Sequence, residues 1–167
     1  MSLANQTYCL DTNVLIQAWQ KYYCPELCPE YWAVLNHLGI TGRIFLPEEV
    51  RDEITGTDDY LAKWVKGCKI PIIKTNQSVT TNLSKLYSSN PLHKYLVDNT
   101  KARSLADPWV IAHAMSHNAT VVTKEVKITA ASSKKIKIPN VCENMNVRCI
   151  NDFQMIKELE LNFRCKL

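Results

Sequence analysis

Residues 8–15 read YCLDTNVL, and this short stretch sets the pattern for the rest of the chain. Its first three residues predict a buried strand that ends at Asp11. Val14, Leu15 and Ala18 then recur at helical spacing, so the strand leads through a polar turn into a helix. This succession of strand, turn and helix is the repeating unit of α/β folds.

The same alternation continues along the chain. Residues 44–46, 70–73, 120–123 and 148–150 have the short apolar or β-branched character of strands, and helical patterns separate them. Pro71 predicts an edge position for the third strand, because proline lacks the N–H that an inner strand needs. We therefore expect an α/β fold with a mainly parallel sheet and helices on both faces.

Apolar spacing predicts helices in the intervening segments. Pro29 opens one of them, which Gly39 and Gly42 are expected to end. The strongest helical pattern covers residues 107–117, and a last helix is expected near the C-terminus, around residues 153–163. No repeat or long linker divides the chain, so a single domain over residues 1–167 is expected.

Composition narrows the classes of function. With 46% hydrophobic and 22% charged residues, the chain resembles a folded globular protein, which excludes a mostly disordered one. No apolar run approaches the ~20 residues of a membrane helix, and no signal peptide is visible. Seven cysteines without a secretion signal are expected to be reduced thiols, which favours a cytoplasmic location and no membrane association.

Residues 124–137 carry the excess positive charge. Glu125 is their only acidic residue, and the segment's net charge equals the +4 of the whole chain. A local basic segment is typical of proteins that bind polyanions, although a solvated lysine-rich loop explains the composition equally well. The lysines are Lys124, Lys127, Lys134, Lys135 and Lys137.

Four acidic residues occupy related places in this pattern. Asp11 follows the first strand, and Asp107 opens the helix before the fourth strand. Glu53 lies in the helix after the second strand, whereas Glu125 follows the fourth strand. In a parallel sheet these positions can converge on the edge formed by the carboxyl ends of the strands. No lysine or arginine is spaced to neutralise the four as a set.

Converging carboxylates predict a cation site. Like charges raise one another's pKa and destabilise the fold unless a cation enters. Mg²⁺ prefers oxygen ligands and often completes its shell with substrate phosphate, so the pattern favours metal-assisted phosphoryl hydrolysis. Each acid also has a purely structural interpretation: Asp11 and Asp107 as helix caps, and Glu53 and Glu125 as surface residues.

Four segments together resemble the PIN-domain family, and in particular a prokaryotic PIN-like subgroup of largely unassigned function. They are YCLDTNVL (8–15), LPEEVRDEI (46–54), ADPWVIAHA (106–114) and VVTKE (121–125). Their order and spacing are similar to those of the four acidic motifs of that family. Two features depart from it, because aspartate is commoner than glutamate at Glu125 and the stretch between Glu53 and Asp107 is long for a minimal toxin.

The resemblance implies a sheet in the order 3-2-1-4-5 and a Mg²⁺- or Mn²⁺-dependent endoribonuclease. Asp11 and Asp107 would be the principal metal ligands, and Glu53 and Glu125 would complete the catalytic and metal-binding set. Many small prokaryotic members are toxins of toxin–antitoxin pairs, inhibited by a protein partner and often dimeric. The expected partners are therefore RNA, single-stranded or structured, an antitoxin protein and a second copy of the chain.

Further residues follow from the same resemblance. Thr12, Asn13 and Thr123 would orient carboxylates, water or phosphate through hydrogen bonds. Lys124 and Lys127 would hold RNA phosphates beside the acids. These five residues form the expected substrate-binding set.

The same residues allow other functions. A catalytically inactive PIN-like module could use the basic segment to bind RNA or a protein, and a different metal-dependent phosphatase would cleave phosphomonoesters. A haloacid-dehalogenase-type phosphatase is disfavoured because Asn13 stands where that chemistry needs a second aspartate. His113 and His117 form a possible zinc pair, but helical geometry directs them away from the face that carries Asp107.

Overall fold

A five-stranded parallel sheet organises the fold. The computed structural model describes residues 6–97, 105–129 and 135–163. The sheet has the order β3-β2-β1-β4-β5, and all its pairings are parallel. The α/β class and the strand order are therefore confirmed. The strands are β1 (Tyr8–Leu10), β2 (Ile44–Pro47), β3 (Ile72–Ile73), β4 (Thr120–Val122) and β5 (Cys149–Ile150).

Helices connect the strands within the described ranges. A π-helical turn, Ala18–Tyr22, continues the first helix, and a 3₁₀-helix, Pro91–Leu96, follows the fifth. The α-helices are α1 (Thr12–Gln17), α2 (Pro29–Ile40), α3 (Glu48–Thr55), α4 (Tyr60–Gly67), α5 (Gln77–Ser89), α6 (Asp107–His117), α7 (Ile138–Asn144) and α8 (Asp152–Glu158). None of the described helices is long and apolar enough to cross a membrane.

The three inner strands are buried on both sides. Tyr8 of β1 pairs with Ile44 on one side and with Thr120 on the other, which makes β1 the centre of the sheet. Every residue of β1, β2 and β4 is buried, including neighbours whose side chains point to opposite faces. Helices therefore cover both faces, as the near-continuous apolar strands predicted. Helix α6 packs against the inner strands, and α5 packs along α6.

Gly39 does not end α2, and the prediction at this residue is wrong. The helix continues through Gly39 to Ile40. A Cβ atom on Gly39 would lie 2.6 Å from the backbone oxygen of Lys69 and 2.7 Å from the Cα of Ile70. Glycine is required here because another segment of backbone crosses the helix at close range. Gly42, with φ of 68°, does lie in the turn after the helix.

The C-terminal helix is shorter than predicted, whereas the third strand lies where it was expected. The C-terminal helix ends at Glu158 instead of continuing to residue 163, because Glu160 adopts a positive φ of 53° that a helix does not allow. The edge position of β3 is confirmed, and Pro71 contributes its carbonyl oxygen to the N–H of Leu46 at 2.9 Å. Lys134 and Cys165 lie outside the described residues.

Candidate active site

Asp11 lies at the carboxyl end of the central strand. Its backbone N–H donates to the carbonyl oxygen of Val122 at 3.0 Å, which extends the pairing of β1 with β4 by one residue. Only 1% of Asp11 is exposed. Although Asp11 occupies the position before α1, its carboxylate makes no capping hydrogen bond. The helix-cap interpretation therefore does not account for this side chain.

Asp107 is the second buried carboxylate of the site. It is the first residue of α6, whereas Ala106 occupies the capping position and no side-chain cap is formed. The alternative in which Asp107 caps its helix is therefore wrong. Only 6% of the residue is exposed. Two of the four predicted acids are thus buried without a capping role.

Two threonines hold carboxylates of the predicted set. The hydroxyl of Thr123 donates to Oδ2 of Asp11 at 2.7 Å, and the hydroxyl oxygen of Thr123 accepts the backbone N–H of Glu125 at 3.0 Å. The hydroxyl of Thr12 donates to Oε2 of Glu53 at 2.8 Å. The bond from Thr123 links the ends of the neighbouring strands β4 and β1, and the bond from Thr12 links the start of α1 to α3.

Asn13 organises the loop after β4. Its Oδ1 accepts the backbone N–H of Lys124 at 2.7 Å, and its Nδ2 lies 3.3 Å from the hydroxyl of Thr123. Asn13 therefore acts on the threonine that orients Asp11. Thr12, Asn13 and Thr123 all lie beside the acids, where the family resemblance places them.

The acids of the predicted set influence one another's pKa values. The pKa of Asp107 is raised to about 9, mainly by burial and next by the negative charge of Asp11. Glu125 and Glu53 add to the same effect, whereas the positive charge of Lys137 opposes it. The four predicted acids thus lie close enough to influence one another electrostatically.

Asp11 experiences the same environment. Its pKa is raised to about 7, mainly by burial and also by the charges of Glu125 and Glu53. The hydrogen bond from Thr123 opposes this shift because it stabilises the carboxylate. None of the ion pairs in the described part of the chain involves Asp11 or Asp107.

Lys137 is a residue of the site that sequence reasoning missed. Its ammonium donates to Oε1 of Glu125, and the backbone N–H of Ile138 donates to Oε2 at 2.9 Å. Burial lowers the pKa of Lys137, but the hydrogen bond and charge of Glu125 raise it more, and Asp107 and Asp11 add to the increase. The expectation that no lysine is placed to neutralise the acids is therefore wrong at Glu125.

The two lysines predicted to bind phosphate contact other acids. The ammonium of Lys124 lies 2.8 Å from Oδ1 of Asp152, and only 7% of its side chain is exposed. It also lies 4.2 Å from the ring centroids of Tyr22 and Phe153. The ammonium of Lys127 lies 2.7 Å from Glu143 on the surface. Lys124 is thus enclosed by protein partners, and the structure does not favour it as a phosphate ligand.

The two histidines of the H-x3-H pattern lie elsewhere. His113 is fully buried, and its Nε2 lies 3.3 Å from Oε2 of Glu49 and 3.3 Å from the hydroxyl of Thr75. His117 is stacked on His113 with ring centroids 6.1 Å apart. Neither residue contributes to the electrostatic group around Asp107.

The acids suit a hard divalent cation by their chemistry. Among the described residues, no group of three or more histidine, cysteine or acidic side chains is arranged to hold a metal ion. Mg²⁺ nevertheless binds through one or two carboxylates when waters and substrate phosphates supply its remaining ligands. Asp11 and Asp107 would be such a pair, and a bound cation would offset the burial and the neighbouring negative charges that raise both pKa values.

The sheet order is that of a PIN-like fold, as the motifs indicated. The chain belongs to a family described as a domain of unknown function (DUF4411), whose model matches residues 8–163. None of the curated proteins matches the chain significantly.

Several solved structures have a similar fold. VapBC2 from Rickettsia felis, bound to a DNA fragment from the promoter, is 16% identical with a TM-score of 0.54, over 87% of this chain and 98% of that one. VapBC-1 from nontypeable Haemophilus influenzae is 14% identical with a TM-score of 0.54, over 87% and 98%. FitAcB from Neisseria gonorrhoeae is 16% identical with a TM-score of 0.50, over 88% and 99%. At these identities the similarity describes the fold.

Proposed function

We propose that the protein is a Mg²⁺- or Mn²⁺-dependent endoribonuclease and that the carboxyl edge of the sheet is its active site. One observation carries this proposal: Asp11 and Asp107 are buried, repel each other, and form no ion pair within the described ranges. Buried carboxylates are costly unless they are paired or coordinate a metal. A functional cation explains why such a pair is present.

The side chains around the pair have distinct tasks. Asp11 and Asp107 would hold the divalent ion, and Thr123 fixes the orientation of Asp11 through its hydrogen bond. When bound, the ion supplies Lewis-acid chemistry: it polarises the phosphate and lowers the pKa of water. Glu53 is held by Thr12 and exposed to solvent, so it would be accessible to incoming RNA and water.

A protein partner is part of the proposal. The VapBC and FitAcB structures with a similar fold are toxin–antitoxin complexes. We infer that this chain acts as the toxin of such a pair and that an antitoxin covers the active edge. Self-association into a homodimer is also proposed, because it is frequent among the PIN proteins that the motifs resemble.

A cleavage assay tests the enzymatic proposal. Purified protein is incubated with mixed cellular RNA with and without Mn²⁺, beside Asp11→Asn and Asp107→Asn. We expect cleavage that requires Mn²⁺ and falls to background in both variants, since each loses one of the two buried ligands. Asp52→Asn is the matched control, because Asp52 is an exposed acid on α3 that pairs with Arg51.

The outcome of this assay is decisive for the active-site assignment. Cleavage by Asp11→Asn or Asp107→Asn at the wild-type rate would contradict the assignment, provided that both variants keep the wild-type circular dichroism spectrum. Release of phosphate from monoesters, with RNA left intact, would instead indicate a metal-dependent phosphatase.

A catalytically inactive PIN-like module that binds RNA or a protein is the second candidate. One observation favours it: Lys137 and Ile138 already bond both oxygens of Glu125, which reduces the number of acids available to a metal. Thermal stability measured against Mn²⁺ concentration separates the two functions. A nuclease is stabilised by Mn²⁺ and loses this effect in Asp11→Asn, whereas a binding module shows no stabilisation that depends on Asp11.

A further inference from the structure

We propose that Lys137 is a built-in cation of the active edge, so that the site binds one divalent ion through Asp11 and Asp107 instead of two. In this arrangement Glu125 anchors the ammonium of Lys137 and is not itself a metal ligand. The inference rests on the proposed function, because it concerns the same four acids and the same RNA phosphate.

The bonds of Glu125 are the first argument. One carboxylate oxygen accepts the ammonium of Lys137, and the other accepts the backbone N–H of Ile138 at 2.9 Å. Only 11% of the Glu125 side chain is exposed. A divalent ion would have to displace the lysine before it reached this carboxylate. Glu125 is thus neutralised by the chain, in contrast to Asp11 and Asp107.

The position of Lys137 relative to the buried pair is the second argument. Its positive charge acts on Asp107, and the charges of Asp107 and Asp11 act in turn on Lys137. The ammonium, bonded to Glu125, is therefore near enough to act on the charge of both buried aspartates. By comparison, the ammonium groups of Lys124 and Lys127 pair with Asp152 and Glu143, outside this group.

Accessibility is the third argument. The side chain of Lys137 is 42% exposed, so its ammonium can contact a ligand that enters from solvent while it remains bonded to Glu125. Lysine is a compact, strongly hydrated point charge and binds phosphate in this way. In sites with two metal ions, the ions lie about 3.5–4 Å apart and stabilise both sides of the reacting phosphate. We assign one of these two positions to Lys137.

Counting bound Mn²⁺ ions tests the inference directly. The full-length protein is freed of metal and titrated with MnCl₂ by isothermal calorimetry, and free Mn²⁺ is followed by electron paramagnetic resonance. Wild type is expected to bind one ion per chain. Lys137→Met, which releases Glu125, is expected to bind two, and Lys137→Arg, which keeps the cation, is expected to bind one.

Two further variants make the count specific. Adding Glu125→Gln to Lys137→Met removes the carboxylate that would hold the second ion, so the double variant is expected to return to one ion. Lys85→Met is the matched control for a lost positive charge. Lys85 lies in a cleft with Thr120 and Arg148, at the end where β4 and β5 begin, and its replacement leaves the count at one.

Each result has a separate meaning. Two ions on wild type, or a single ion on Lys137→Met with an unchanged circular dichroism spectrum, would overturn the role of Lys137 and leave the proposed nuclease intact. No Mn²⁺ on wild type would contradict the proposed function itself. A change from one ion to two that Glu125→Gln reverses is the result that supports the built-in cation.

Discussion

Two regions at the carboxyl edge of the sheet bury aspartate in opposite ways. Asp152 begins α8 directly after β5 and is fully buried, with the ammonium of Lys124 at 2.8 Å. Asp11 follows β1 and is equally buried, but it belongs to no ion pair in the part of the chain that the structure describes. We call the first region the Asp152 pair and the second, formed by Asp11 and Asp107, the acid pair.

The difference separates structural acids from functional ones. A buried charge costs several kcal/mol unless a partner compensates it. The Asp152 pair contains its own cation, and aromatic rings of Tyr22 and Phe153 enclose that cation. The acid pair is instead surrounded by further acids, and Lys137, the cation that acts on it, is already bonded to Glu125, so we expect a bound metal ion to supply the remaining compensation. Burial of a carboxylate therefore does not by itself indicate a functional site. Burial without an ion-pair partner among the described residues does.

Breaking the Asp152 pair is expected to give the largest loss of stability. Asp152→Asn leaves the ammonium of Lys124 buried without its anion, which costs about 3–5 kcal/mol in comparable pairs. Urea denaturation at neutral pH measures this change. Asp52→Asn removes an exposed acid from α3 and is expected to change the free energy of unfolding by less than about 1 kcal/mol. Equal effects of the two substitutions would remove the basis of the comparison.

In the acid pair, an aspartate-to-asparagine substitution is expected to have the opposite effect on stability. In metal-free buffer, Asp11→Asn should raise the free energy of unfolding by about 1–3 kcal/mol, because it removes a buried charge that lacks a counterion. The new amide oxygen can still accept the hydroxyl of Thr123. Thermal denaturation with and without Mn²⁺ checks both parts, since Mn²⁺ should stabilise only the wild type. Destabilisation comparable to that of Asp152→Asn would show that Asp11 has a structural role.

The pH dependence of stability gives a smaller and more specific effect. In the folded protein the pKa of Asp11 is raised to about 7 and that of Asp107 to about 9, from an ordinary value of 3.8. Between these values the folded state binds more protons than the unfolded state. The free energy of unfolding of the metal-free protein should therefore fall as the pH rises from about 5 to about 9.

Urea denaturation across that range measures the trend. The variant with both Asp11→Asn and Asp107→Asn lacks the two groups and should show a flatter dependence on pH. Saturating Mn²⁺ should also reduce the slope, because it binds the deprotonated carboxylates. If the double variant and the wild type followed the same curve, the acid pair would not be the cause.

Much of the fold could be predicted because its signals are local. The apolar stretch at residues 8–10 and the β-branched run at residues 120–122 form the paired strands β1 and β4. Asp11 and Asp107 were identifiable because strand ends and helix starts are visible in the sequence. The role of Gly39 is not visible in the sequence. Glycine is needed there because the backbone of Lys69 and Ile70 passes close to the helix, and no local pattern indicates that approach.

The partners of the lysines could not be predicted for the same reason. Lys137 follows Glu125 by 12 residues and Lys124 precedes Asp152 by 28, so no helical or strand period connects either pair. The composition of the basic segment therefore predicts only a single surface that binds phosphate. In the structure its members have different partners, and only three-dimensional packing reveals which of them faces the acids.

A crystal soaked in MnCl₂ and measured at a wavelength where manganese scatters anomalously tests the central claim most directly. The account predicts an anomalous peak within about 2.0–2.3 Å of carboxylate oxygens of both Asp11 and Asp107. It predicts no peak at Asp152, whose charge Lys124 already balances. Carboxylates of Asp11 and Asp107 that point apart with no manganese between them would contradict the account.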